Sequence, residues 1–308
     1  MILAFFQLIT QFALENFNFS NFQAPPPRSL AVVDFVSANN LPKKVVVDGV
    51  ESVGVVLQAK RALAIDVNSG AILYEKLSHE PQPIASITKL MTAMVVLDLG
   101  FDGEKVVQVL PSDERAGAFT NVFRYENIFA KDLLAASLIP SDNNATVALA
   151  RSTGLSEADF AAAMNQKAKD LGMLDSVFVE PTGLSEANQA SAYDVARLVH
   201  ASLQYPDIAE LTTKENYFFK VIGSERSVKL FSTDYLLSNQ LFKNGDYKIL
   251  GGKTGFIDEA GYCFAVQLEN KDGQKIIGVI LGSQNIASRF QDMKSLWHWV
   301  LTNYSWQN

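Results

Sequence analysis

Cysteine is nearly absent from this sequence. Cys263 is the only one in 308 residues, so no disulfide can form within the chain and no cysteine cluster can hold a metal. Histidine is almost as scarce: His79, His200 and His298 lie far apart, and none belongs to an H-E-x-x-H pattern that would ligate zinc. A basic excess is missing too. Lys and Arg number 26 against 33 Asp and Glu, a formal charge of -7, and no Lys/Arg block occurs, which excludes the electrostatic footprint of a nucleic-acid binder. No serine is framed as G-x-S-x-G, because Ser156 and Ser185 follow Gly-Leu but lack the second glycine. A phosphate-cradling G-x-x-x-x-G-K-[ST] loop is excluded at Lys253, since Tyr247 stands where its first glycine would be.

Apolar residues make up 48% and charged residues 19%, the composition of an ordinary folded protein long enough for one large domain or two modest ones. The opening MILAFFQLITQFAL is uncharged and apolar but too short to span a membrane. It reads either as the apolar region of a degenerate secretory signal, without a basic start and interrupted by Gln7 and Gln11, or as a packed or irregular N-terminal segment. Three prolines, Pro25 to Pro27, close this leader as a stiff linker. The expected division is therefore a leader over 1–27, an irregular extension over 28–56 with a few valine runs, and a folded domain over 57–308.

Within that domain, residues 62–76 predict a β-hairpin: ALAID and AILYE flank a turn containing Asn68, Ser69 and Gly70. Residues 84–97 are apolar on all sides apart from Ser86, Thr88, Lys89 and Thr92, which predicts a buried helix. Helices are expected at 132–139, 144–151, from the Ser156 cap to about 171, and at 192–203. The C-terminal third then alternates as strands, 248–256, 262–269 and 275–282, before a last helix over 287–301 whose Trp297 is expected to pack on the sheet. The expected fold is α/β: an antiparallel sheet drawn from 57–76 and 247–283, flanked by helices, with a helical subdomain inserted over 100–205.

Three short elements carry the chemistry, in order: Ser86 and Lys89 in SITK, Ser141 and Asn143 in SDN, and Lys253, Thr254 and Gly255 in KTG. Each alone is common. S-x-N also occurs at Ser37 and Ser283, read as a loop residue and a strand-end residue; only Ser141 lies between the other two elements. Residues three apart on a helix can touch, and a lysine inside an otherwise apolar helix loses affinity for its proton, so Lys89 can accept one from Ser86. The free N–H groups at a helix start favour the negative charge that develops there. An N-cap serine with a snorkelling lysine would not explain a cation within an apolar helix. Lys253 could be an edge-strand lysine that deters aggregation, but its neighbouring glycines allow close approach to the backbone.

The ordered triple S-x-x-K, S-D-N and K-T-G is shared by class A β-lactamases and penicillin-binding proteins. SITKLMTAMVVLD, PSDNNATVALA, MNQKAKDLGM, VEPTGL and GGKTGF, in this order over about 59–301, resemble the D-alanyl-D-alanine carboxypeptidase family of low-molecular-weight penicillin-binding proteins, especially its short branch that includes D,D-endopeptidases. The resemblance implies a penicillin-binding protein / β-lactamase-like fold and a site between the sheet and the helical subdomain. It implies Ser86 as nucleophile, Lys89 as its base and Ser141 as proton relay to the leaving amine. Asn143 would hold the substrate backbone, Lys253, Thr254 and Arg289 would face its carboxylate, and the N–H groups of Ser86 and Phe256 would form the oxyanion hole. It implies no metal or organic cofactor, peptidoglycan stem peptides and β-lactams as partners, and an extracytoplasmic place of work. The second β-rich domain and membrane-anchoring tail of longer relatives are not expected, as the sequence ends soon after the last helix. Glu180 lies near where a class A β-lactamase carries its deacylating glutamate, but precedes Pro181, Thr182 and Gly183 and is expected to be a surface or turn-stabilising carboxylate with no deacylation role. A D,D-endopeptidase and a β-lactamase stay open as alternatives, as does a non-catalytic wall-binding protein, which would usually lack Ser86, Lys89 or Lys253.

Overall fold

The computed structural model describes residues 41–47, 50–52, 54–117, 120–239 and 247–306. The leader, residues 28–40 of the extension and Ser37 lie outside the described residues. Five antiparallel strands form the central sheet: β1 (Arg61–Asp66), β2 (Ile72–Lys76), β3 (Tyr247–Ile257), β4 (Gly261–Asn270) and β5 (Lys275–Ser283), in the order β3-β4-β5-β1-β2. The two ends of the chain thus meet where β5 pairs with β1, with Ile277 opposite Ile65. Both hairpin turns form by local chemistry. Asp66 accepts the Ser69 N–H at 2.8 Å and Asn270 accepts those of Asp272 and Gln274 at 3.0 Å, while Gly70 and Gly273 supply the positive φ.

The period-two alternation of a strand gives the sheet two buried faces. Leu63, Ile65, Val279 and Leu281 face one apolar core, and Ala62, Ala64, Phe264 and Ile280 face the other. The second core is closed by the C-terminal helix (Ile286–Asn303), with Phe290, Met293, Leu296, Trp297 and Val300 turned inward. Trp297 packs on the sheet as expected. A Cβ at Gly278 would lie 2.5 Å from the Met293 sulfur and 2.8 Å from the Trp297 indole nitrogen, so glycine is what lets the helix seat.

The first core is covered by α1 (Thr88–Asp98), α2 (Ala130–Leu138), α3 (Asn143–Arg151), α4 (Glu157–Asp170), α5 (Ala192–Ser202) and α6 (Pro206–Thr212); the C-terminal helix follows as α7. α1 is the buried helix predicted from its composition, with residues from Thr88 to Val96 all buried. Side-chain caps start four of the others: Asp142 accepts from the Ala145 N–H, Ser156 from that of Asp159, Ser191 from that of Asp194 and Asn285 from that of Ser288.

Several pieces go beyond the sequence expectation. α6 begins at Pro206, which suits the first helical turn, and packs on β3. After it, Asn216–Lys220 pairs with Ser227–Phe231 as a two-stranded ribbon outside the main sheet. In the extension, Lys43–Lys44 pairs with Tyr304–Ser305 and Val46–Val47 with Val50–Glu51. Among the described residues no helix is long and apolar enough to cross a membrane.

Candidate active site

Ser86 sits in a single 3-10 turn, Ala85–Ile87, that leads directly into α1. Its predecessor Ala85 has φ +48°, a left-handed conformation that a residue with a Cβ adopts only when its surroundings impose it. Two glycines impose it here. A Cβ on Gly183 would lie 2.0 Å from the Ala85 carbonyl oxygen, and one on Gly255 would lie 2.9 Å from the Ile84 carbonyl oxygen and 3.0 Å from the Ser86 nitrogen. The serine turn is therefore pressed between the loop at 181–183 and β3, and both approaches need glycine.

Lys89, the second residue of α1, is fully buried, so it does not snorkel. Its Nζ lies 2.8 Å from Ser86 Oγ, 2.7 Å from Asn143 Oδ1 and 3.0 Å from the Thr182 carbonyl oxygen. Asn143 Nδ2 donates to the Gly117 carbonyl at 3.0 Å, which fixes the amide so that its oxygen faces the lysine. Burial lowers the Lys89 pKa to about 7, partly opposed by the negative charges of Glu180 and Asp142. A neutral amine has two N–H bonds and one lone pair. Asn143 Oδ1 and the Thr182 carbonyl can only accept, so they take the two N–H bonds, and the single lone pair is left for the Ser86 hydroxyl.

Ser141 precedes α3 with φ +69°, and its Oγ is buried without a hydrogen-bond partner among the described residues. Asp142 pins this corner by accepting the N–H groups of Ala145 at 3.0 Å and Val122 at 3.2 Å, and that of Asn121 as well. Asp142 itself has its pKa raised by burial.

β3 forms the opposite wall. A bulge between Ile249 and Gly251 accompanies φ +138° at Gly251, where a Cβ would meet Thr212 Oγ1 at 2.4 Å. The close approach allowed by this glycine is thus to α6, whereas Gly255 admits the serine turn. Lys253 and Thr254 are buried; Lys253 Nζ donates to the Thr254 carbonyl at 3.1 Å, and Thr254 Oγ1 lies 2.6 Å from Thr233 Oγ1. Desolvation holds the Lys253 pKa well below the usual lysine range, helped by the positive charges of Lys89 and Arg289. Arg289, in the first turn of α7, reaches across to the same strand and donates to the Gly255 carbonyl at 3.2 Å. Phe256 is half exposed at the rim, stacked on Tyr262 with ring centroids 4.2 Å apart.

Of the nine residues singled out from the sequence, Ser86, Lys89 and Asn143 are joined by hydrogen bonds, Gly255 packs on the serine turn with Lys253, Thr254 and Phe256 beside it on β3, Arg289 bonds to the Gly255 carbonyl, and Ser141 lies two residues before Asn143. Thr182, Gly183 and Gly117 were not among them. Thr182 and Gly117 act through backbone carbonyls, which leave no trace in side-chain chemistry. Of the two roles expected for Glu180, surface or turn-stabilising, the structure shows the second. Its carboxylate accepts the N–H groups of Thr182 at 2.7 Å and Gly183 at 2.6 Å, the Thr182 hydroxyl at 2.6 Å, and the Asn188 amide at 2.8 Å. Glu180→Gln puts a donor against these donors and is expected to cost about 1–3 kcal/mol of stability, read by urea unfolding. Decay of a penicillin adduct should stay within about threefold of wild type, a barrier change under about 1 kcal/mol. A far slower decay would make Glu180 a deacylating base.

The architecture and the S-x-x-K turn beside a K-T-G strand are those of the penicillin-binding proteins. The crystal structure of penicillin-binding protein D2 from Listeria monocytogenes, in its cefotaxime-bound form, superposes with a TM-score of 0.70 at 30% identity, over 81% of this chain and all of that one. Residues 49–285 match the D-alanyl-D-alanine carboxypeptidase family, and the chain belongs to that peptidase family. Among its relatives are D-alanyl-D-alanine endopeptidases from Pseudomonas aeruginosa, 35% identical over 89% of this chain and 86% of the relative, and from Escherichia coli, 35% identical over 78% and 76%.

Proposed function

We propose that the chain is a penicillin-sensitive serine D-Ala-D-Ala carboxypeptidase that acts on peptidoglycan stem peptides through a Ser86 acyl-enzyme, with residues 57–308 as its catalytic unit. The observation that carries this reading is the Lys89 amine, fully buried, near neutral pKa, and 2.8 Å from Ser86 Oγ with its other two contacts limited to acceptors.

In the forward step Ser86 Oγ bonds to the carbonyl carbon of the scissile peptide as its proton passes to Lys89 Nζ. The oxyanion that forms is received by the N–H groups of Ser86 and Phe256, an arrangement typically worth about 3–4 kcal/mol per donor. Collapse breaks the C–N bond. The leaving amine takes a proton through Ser141, whose hydroxyl, without a partner among the described residues, suits a relay, and departs as D-alanine. Asn143 holds the substrate backbone, and Lys253, Thr254 and Arg289 receive the terminal carboxylate. Water then adds to the ester, and its proton returns along the same path to regenerate Ser86. Such a substrate lies outside the cytoplasm, so we infer an extracytoplasmic enzyme.

Incubation with penicillin should add one drug mass to the intact protein and none to Ser86→Ala, as read by mass spectrometry. An unmodified wild type would remove serine acylation and leave the wall-binding reading. The second reading, a D,D-endopeptidase that cuts cross-links, is favoured by the two relatives of that name. Digestion of purified muropeptides separates the two: loss of terminal D-alanine from monomers marks the carboxypeptidase, and conversion of cross-linked dimers to monomers the endopeptidase.

A further inference from the structure

Thr233 stands between the two walls of the cleft, just after the ribbon ends at Phe231. Its N–H donates at 3.2 Å to the carbonyl of Ile139, at the end of α2, and its Oγ1 lies 2.6 Å from Thr254 Oγ1 on β3. The backbone around it is held independently of that hydroxyl. The Ser232 N–H donates to the Glu215 carbonyl at 2.9 Å, the Asp234 N–H to Ser232 Oγ at 3.0 Å, and the Leu236 N–H to Asp234 Oδ1 at 2.9 Å. Across the gap Thr254 is buried and fixed by its pairing with Phe264, and its carbonyl accepts from Lys253 Nζ at 3.1 Å. Two hydroxyls on separately anchored segments are thus presented to each other at hydrogen-bond distance.

We propose that Thr233 is a positioning residue for the substrate carboxylate: its hydroxyl donates to Thr254 Oγ1 and leaves the Thr254 proton aimed at the bound anion. The inference rests on the carboxylate role given to Thr254 under the proposed function. A hydroxyl has one proton to donate and two lone pairs to accept with. In the 2.6 Å contact one threonine donates to the other, and the geometry of the pair permits either direction. The carboxylate decides between them. It can only accept, so a Thr254 that binds it directs its single proton there and meets Thr233 as an acceptor.

Donation therefore runs from Thr233 to Thr254 to the carboxylate. Each bond polarises the next, which strengthens the last one, already assisted by the charge of the anion. The same order carries selectivity. A Thr254 that receives the Thr233 proton is turned to donate. Either oxygen of a free terminal carboxylate suits it, and with full charge. A terminal amide suits it only through its carbonyl oxygen and without charge, while its NH2 group meets a hydroxyl turned the wrong way. Without the Thr233 proton, Thr254 can rotate and accept from that NH2 group, and the distinction between acid and amide weakens.

The test is kcat/KM for an acyl-D-Ala-D-Ala peptide and for its C-terminal amide. Thr233→Val keeps the branched shape and the backbone bond to Ile139 but removes the hydroxyl; its acid-to-amide ratio should fall about fivefold, the usual weight of one hydrogen bond. Thr233→Ala, which places no methyl group against Thr254, should show the same fall, and Thr233→Ser, which keeps the hydroxyl, should retain the wild-type ratio. The penicillin adduct on Ser86 checks that each variant keeps its site. An unchanged ratio in Thr233→Val and Thr233→Ala, whether both rates hold or both fall, would overturn the proposal and make Thr233 a structural link between the walls. A fall in Thr233→Ser as well would overturn it by assigning the effect to the methyl group. A ratio above wild type in Thr233→Val would do the same, since Thr254 would then have been donating to Thr233. Thr254→Val tests the footing separately: a full preference for the acid there would strike the carboxylate role of Thr254 in the proposed function, and this inference with it.

Discussion

Lys89→Met is expected to lower the rate of Ser86 acylation by penicillin by about 10²–10⁴-fold, the usual contribution of a positioned general base. The neighbouring hydroxyl then has no group to receive its proton, because the other contacts of the amine are the amide of Asn143 and a backbone carbonyl. In wild type the base is the neutral amine, so acylation should fall about tenfold per unit as the pH drops below about 7. Stopped-flow or quenched acylation at several pH values reads both effects. A rate independent of pH from 5 to 8 would mean that Lys89 is not the titrating base. The same pKa has a stability consequence of known sign. The folded-state value lies below the unfolded one, so between pH 7 and about 10 the unfolded chain binds more protons, and wild-type stability gains with pH relative to Lys89→Met. Urea unfolding of the pair should show the variant's advantage to be greater at pH 6.5 than at pH 9.5. The cost in stability is thus greatest below pH 7, where the protonated amine no longer serves as a base.

Gly183→Ala is the second large effect. Alanine at φ +83° carries a conformational cost of about 1–3 kcal/mol, and its Cβ would stand 2.0 Å from the Ala85 carbonyl oxygen, which cannot swing away as a side chain would. The displaced residue adjoins Ser86, and Thr182 on the other side supplies an acceptor to Lys89. The melting midpoint should fall by roughly 6–12 °C and acylation by about 10²-fold, the loss expected from a misplacement near 1 Å. Gly154→Ala is the matched control. Gly154 has φ +86° but nothing within 4 Å of its Cβ position, so it should show the conformational cost without the loss of acylation. Equal acylation losses at both positions would show that backbone strain alone, rather than contact with Ala85, explains the effect.

Both predictions depend on information of different kinds. The Ser86–Lys89 contact was legible in the sequence, because i and i+3 on a helix are neighbours whatever surrounds them, and an apolar helix must be buried. The strands of the meander and the first hairpin were legible for a similarly local reason: short, largely apolar runs bounded by Asn, Asp and Gly at the turns. The ribbon Asn216–Lys220 with Ser227–Phe231 escaped notice although it too alternates, buried on Phe219, Val228 and Leu230 and exposed on Phe218, Lys229 and Phe231. Its two strands are short, and they form no part of the central sheet.

Side-chain identity, spacing and order along the chain were enough to establish the three motifs, the buried lysine and the pairing of an N-terminal hairpin with a C-terminal meander. Those properties are local or combinatorial, and they survive without coordinates. Only the tertiary structure decided that the Thr182 carbonyl completes the lysine's hydrogen bonding and that Gly183 and Gly255 clamp the serine turn. Residues 86 and 182 are brought together by packing, and a carbonyl is the same in every residue, so no amino-acid type marks it. The strength of a charge, likewise, depends on what lies within a few ångströms of it through space, and distance along the chain carries no such information.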